Sequence, residues 1–182
     1  MKQASEQLIN ELIKECTDFI ERAQQTALLP KEKLESRPSP KSWNTLECFG
    51  HMNLYGDFYL KELDRAINHS KHAAEETFKS GWLGNYSVLS MLPKEDGRVN
   101  KPMKTFKYMD PFETQSSPEE IENFITQMNS MIQLLEKSRS VSLNKTKCKL
   151  TIKWIKFNLG DTFRFMIYHN KRHLNQVEGI VQ

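Results

Sequence analysis

Near the end of the chain, in the stretch YHNKRH, His169 and His173 stand four positions apart. On a helix that spacing puts side chains from adjacent turns on one face, close enough for both imidazoles to grip one ion. A third histidine, His51, lies in ECFGHMNLYGDF among apolar residues with helical spacing. Three neutral ring nitrogens would suit zinc, nickel, copper or iron rather than calcium or magnesium, and would leave positions open for water or substrate. The other reading of the same residues is three core histidines whose nitrogens are satisfied by hydrogen bonds. An HxxxH pair alone does not separate the two.

The neighbours of these histidines narrow the chemistry. Glu47 lies one turn before His51 on the same face, where it could orient an imidazole or accept a proton. Glu47 also follows Asn44 by three, the spacing of a capping box, and that role is preferred. Tyr55, one turn after His51, either lines a pocket or fills the core. Glu47 and Tyr55 are the candidates for catalysis, and no other catalytic residue is evident. Cys48 reads as a buried structural thiol. Lys171 and Arg172 must point away from the histidine stripe, toward solvent or a partner. The spacer of the pair lacks the glutamate that zincin peptidases use as general base, which removes the main support for a peptidase. His69 and His72 read as surface residues.

Four amphipathic helices must position these groups. The first runs through Leu8, Ile9, Leu12, Ile13, Cys16, Phe19, Ile20, Ala23 and Ala27, and Pro30 ends it. The stretch LPKEKLESRPSPKS then favours an extended path. The second helix starts at Asn44 and runs to about residue 70, with Glu47, Cys48, His51, Leu54, Tyr55 and Phe58 on one stripe. Residues 81 to 114 are irregular, with a short helix around YSVLSML, and should cover one end of the core. In SSPEE, Ser117 caps the third helix, with Pro118 in its first turn and Glu120 closing the box. Its Met-rich stripe is core. Cys148, Leu150, Ile152 and Trp154 then alternate as in an extended strand, which as a lone piece should cross the surface rather than build a sheet. The last helix starts between Asn158 and Asp161 and carries Leu159, Phe163, Met166, His169, His173, Val177 and Ile180 inward. The expected class is all-α, a four-helix bundle with long connections between helices two and three and between three and four.

Composition agrees with one domain over residues 1–182. Hydrophobic residues make up 38% and charged residues 27% of the 182, as in a soluble globular protein. The 26 basic and 23 acidic residues leave a formal charge of only +3, too little to imply nucleic acid. The lysines of NKTKCKLTIKWIK read as a solvated surface. Cys16, Cys48 and Cys148 are odd in number and unpaired in spacing, which suits reduced thiols in a cytoplasm. Neither a signal sequence nor a membrane-spanning run is visible, so no membrane partner is expected.

Two blocks carry a family resemblance. LESRPSPKSWNTLECFGHMNLYGDFYL resembles the DinB-like pattern of a proline-containing stretch, then tryptophan, a capping residue, glutamate and histidine, here Trp43, Asn44, Glu47 and His51. Asn44 stands where the family usually has serine, and both cap well. LGDTFRFMIYHNKRHLNQVEGI is similar to the family's final helix, with His169, His173, Leu174 and Gln176. The resemblance implies a four-helix bundle of the DinB/YfiT-like metalloenzyme group, commonly homodimeric, with metal ligands at His51, His169 and His173 and zinc or nickel bound. Some relatives are thiol S-transferases or isomerases that use low-molecular-weight thiols, so a transferase or hydrolase is expected. A non-catalytic stress-response or scaffold module with structural histidines is the alternative.

Overall fold

The computed structural model describes residues 1–92, 105–112 and 116–182. Helix α1 (Ser5–Ala27) buries Leu8, Ile9, Leu12, Cys16, Phe19 and Ala23 along one stripe. The following connection is not extended throughout, because α2 (Lys31–Leu34) forms one turn directly after Pro30. Proline suits the start of a helix, where its missing N–H is not needed, and Leu34 at the end of the turn is buried. Helix α3 (Thr45–Asn68) opens with the expected box: Glu47 N–H donates to Asn44 Oδ1 at 2.8 Å, and Asn44 N–H donates to Glu47 Oε2 at 3.0 Å. Leu54 departs from the expected stripe and faces outward.

Helix α4 (Trp82–Met91) contains the short helix anticipated around YSVLSML. Part of the stretch expected to be irregular, residues 93–104 and 113–114, lies outside the described residues. A single 3₁₀ turn, Lys107–Met109, follows, and its buried Met109 covers part of the core. Helix α5 (Glu119–Lys137) starts after Pro118 rather than after a serine cap. Glu120 does not close a box with Ser117. Its carboxylate accepts from Asn53 Nδ2 at 2.7 Å and its carbonyl from the same nitrogen at 2.8 Å, which ties α5 to α3.

The stretch after α5 forms a small sheet that the sequence reading did not foresee. Strand β3 (Lys147–Lys149) pairs antiparallel with β4 (Lys156–Asn158), Cys148 opposite Phe157. The ladder stops where the core stops: Cys148 and Phe157 are buried, whereas Ile152 and Trp154 have nothing to pack on and stand in solvent. A second ribbon joins β1 (Lys2–Ala4) to β2 (Thr77–Lys79). Helix α6 (Leu159–Val181) is capped by Asn158, whose Oδ1 accepts from Asp161 N–H at 2.7 Å.

The long helices enclose one cluster of buried residues, with α1 and α3 each packed on both α5 and α6. Helix α6 carries a buried ion pair, Arg164 to Asp161 at 3.0 Å, and Arg164 reaches α4 by donating to Asn85 Oδ1 at 3.2 Å. Asp161 also accepts from the Ser80 hydroxyl and from Gly81 N–H at 2.7 Å. Neighbouring segments approach α6 closely there: a Cβ at Gly84 would fall 2.5 Å from the Asp161 carboxylate, and one at Gly160 would fall 2.4 Å from the Phe78 ring. Among the described residues no helix is long and apolar enough to cross a membrane.

Candidate metal centre

Helix α3 presents His51 and α6 presents His169 and His173 toward one another, all three buried. One donor nitrogen from each lies within 4.8 Å of the others. The ring centroids are 4.6 Å apart for His51 and His173, 4.6 Å for His169 and His173, and 5.1 Å for His51 and His169. The three expected residues are thus brought together, and His69 and His72 lie apart from them on the surface.

Hydrogen bonds orient two of the rings. His51 Nδ1 lies 2.7 Å from the Met109 carbonyl, and His173 Nδ1 lies 3.1 Å from Gln176 Oε1. Since each partner atom is an acceptor, each Nδ1 must carry the proton, and the Nε2 lone pairs of both rings are left for another partner. His51 Nε2 faces His169 Nε2 at 3.2 Å. Two nitrogens each about 2.1 Å from one tetrahedral ion would be about 3.4 Å apart, so the spacing suits a shared ion. His169 Nδ1 is buried and makes no hydrogen bond, with Asn170 close by but out of bonding geometry.

The electrostatics favour neutral rings. Burial lowers the pKa of His51, with the Met109 carbonyl and Asp110 opposing it in part. Burial, then the neighbouring His173 and His51, push His169 well below its ordinary value. His173 is pushed down to about 3, by burial first and His51 second. All three are therefore uncharged near neutral pH, the form in which imidazole binds a metal. Among the described residues no carboxylate joins the donor set, so with these ligands alone the two positive charges of a divalent ion would stay uncompensated and an anionic further ligand would be favoured.

Aromatic rings wall the cluster. Tyr55 stacks on His169 at 4.4 Å and lies 5.0 Å from His51, so it lines the site as well as filling the core. Burial raises its phenol to about 12, which keeps it protonated. Trp43 lies 4.6 Å from His51 and 5.9 Å from His173. Its Nε1–H donates to Asp110 Oδ1 at 3.1 Å, joining the connection before α3 to the segment that carries Met109. Cys48 is buried, and burial lifts its thiol to about 12, which argues against a thiolate ligand.

Glu47 is committed elsewhere. Besides the cap, its carboxylate takes both arms of Arg37, at 2.6 and 2.7 Å. Arg37 also lies 5.1 Å over the Phe112 ring and donates to the Ser42 carbonyl at 2.7 Å. Lys171 does not run free into solvent but pairs with Glu15 of α1 at 2.7 Å. Sequence reasoning missed Arg37, Trp43 as a wall of the site, and the Met109 carbonyl. Gln176 was within its reach, since a residue three after His173 on a helix lies over the same face.

A family model described as the DinB superfamily matches residues 6–177. No curated protein and no solved structure matches the chain.

Proposed function

The chain belongs to the DinB superfamily, and from that premise we propose that it is a metal-dependent enzyme that binds zinc or nickel through His51, His169 and His173. The reading takes the four long helices as a four-helix bundle, residues 1–182 as one domain, and the protein as a cytoplasmic homodimer. The observation that carries it is the convergence of three buried, uncharged imidazoles, two of them oriented by acceptors on Nδ1. An ion held there would supply Lewis acidity and favour the deprotonated form of a thiol or water at an open position. A low-molecular-weight thiol fits a donor set that, among the described residues, holds no carboxylate, so thiol S-transfer is preferred over hydrolysis.

The chain's own residues do the remaining work. Met109 and Gln176 hold the His51 and His173 rings in the tautomer that offers Nε2. Trp43 and Tyr55 form apolar walls that keep bulk water from the ring nitrogens. Glu47 positions the start of α3 through Arg37 and Asn44 rather than moving protons. A structural, non-catalytic cluster is the second reading, favoured by the 3.2 Å between His51 and His169, which is also a hydrogen-bond distance.

Elemental analysis of protein made without a histidine tag tests the proposal. About one zinc or nickel per chain is expected, lost in His51→Ala and in His173→Ala, together with turnover in a thiol-conjugation assay. Metal content indifferent to both substitutions would sink the metal reading, and stoichiometric metal without turnover would favour the structural one.

A further inference from the structure

Between Glu136 and Asp161 the sequence has no acidic residue, whereas Lys145, Lys147, Lys149, Lys153 and Lys156 all fall there. Half of this stretch is the β3–β4 ribbon, and its tip is the turn at residues 150–155. At the tip Ile152 is 47% exposed and Trp154 is 99% exposed. Trp154 also has a φ of 73°, in the left-handed region that favours glycine and is unusual for a bulky residue. Holding an indole wholly in water on a strained backbone gives the fold nothing, so the ring's use must lie outside the chain.

The tip does not stand alone. Tyr108 donates its hydroxyl to the Thr151 carbonyl at 3.4 Å, which brings the 3₁₀ turn beside the ribbon. Phe106 and Tyr108 stack on one another at 5.5 Å, and both are exposed. Phe106, Tyr108, Ile152 and Trp154 therefore make one apolar rim on this side of the molecule. Lys107, Lys149, Lys153 and Lys156 surround it, all exposed, and none of them forms an ion pair among the described residues.

We propose that this rim is a peripheral docking surface for an anionic lipid membrane. Tryptophan is favoured at the boundary between headgroups and acyl chains, Ile152 can enter the apolar side of that boundary, and unpaired lysines are drawn to a negative leaflet. Lysine stems keep their ammonium groups among the headgroups while lying along the apolar surface. Single-stranded nucleic acid also takes lysines and aromatic rings, but it uses aromatic faces arrayed for stacking. Here an isoleucine shares the tip, and Phe106 and Tyr108 already cover part of each other. The membrane contact that the sequence reading set aside thus arises from a turn, with no spanning helix required. It is independent of any metal.

Flotation of the full chain with lipid vesicles tests the proposal. The protein should float with vesicles of mixed phosphatidylserine and phosphatidylcholine, stay behind with phosphatidylcholine alone, and release as salt is raised. Trp154→Ala should lower the partition coefficient about tenfold, whereas Trp82→Ala, another exposed tryptophan, should leave it unchanged. The pair Lys153→Glu and Lys156→Glu should lower it at least about thirtyfold. Trp154→Gly should also weaken binding while raising the melting temperature, which separates docking from folding. Equal flotation of Trp154→Ala and the parent, or no preference for anionic vesicles, would overturn the proposal. So would retention of oligothymidylate by a protein that ignores vesicles, which would assign the rim to single-stranded nucleic acid.

Discussion

His173 illustrates what burial does to a single side chain. Its pKa falls to about 3 in the folded protein, while an unfolded imidazole titrates near 6.5. Between those values the unfolded state binds more protons than the folded one, so stability rises with pH through this window and is fully present above it. His51 and His169 are shifted in the same direction. Metal-free protein should therefore lose stability as pH falls below about 6.5, by up to about 1.4 kcal/mol per pH unit for each ring. Denaturant titrations across that range check it, and His173→Leu should flatten the slope. The histidines and their spacing were legible in the sequence because a helix converts a separation of four into a shared face. The Met109 carbonyl was not, because it reaches His51 from a segment without periodicity.

At the scale of elements, helix starts separate into those set locally and those set by neighbours. Asn44 and Glu47 cap α3 as their spacing predicts, because the box needs only residues three apart. Glu120 has the same spacing from Ser117, yet its carboxylate goes to Asn53 on α3. The Asp161–Arg164 pair combines the two, since its residues are three apart on α6 while its burial comes from neighbours. Both side chains are buried, and Ser80, Gly81 and Asn85 supply further hydrogen bonds to them. Asp161→Ala would leave the Arg164 charge buried without its partner, at a cost of about 3–5 kcal/mol. Chemical denaturation should register that loss, with α4 released from α6 and faster amide exchange in Trp82–Met91. Arg164→Met together with Asp161→Leu should recover a good part of it, since a packed apolar pair leaves no charge uncompensated.

For the whole molecule, the histidine cluster joins α3 to α6, so a ligand bound by all three rings stabilises the folded state only. Zinc or nickel at about a hundred times its dissociation constant should add about 2.7 kcal/mol. For a chain of this size that raises the melting temperature by about 5–10 °C. Differential scanning calorimetry with metal and with chelator measures the difference, which should vanish in His51→Ala. The shift should persist in Trp154→Ala, because the ribbon tip lies outside the cluster.

The sequence by itself determined the long helices, the cap of α3, the inward face of each histidine and the family. All of these depend on periods and spacings within one segment or on two short blocks. Tertiary structure decided what no local pattern contains. It set the 3.2 Å between rings from residues 51 and 169, gave Arg37 to Glu47, and raised Trp43 as a wall. It also turned Trp154 outward against its alternating pattern, because alternation marks only which side chains share a face. Whether a core lies under that face depends on where other segments end: Leu150 still packs against the core, whereas Ile152 and Trp154 lie past its edge.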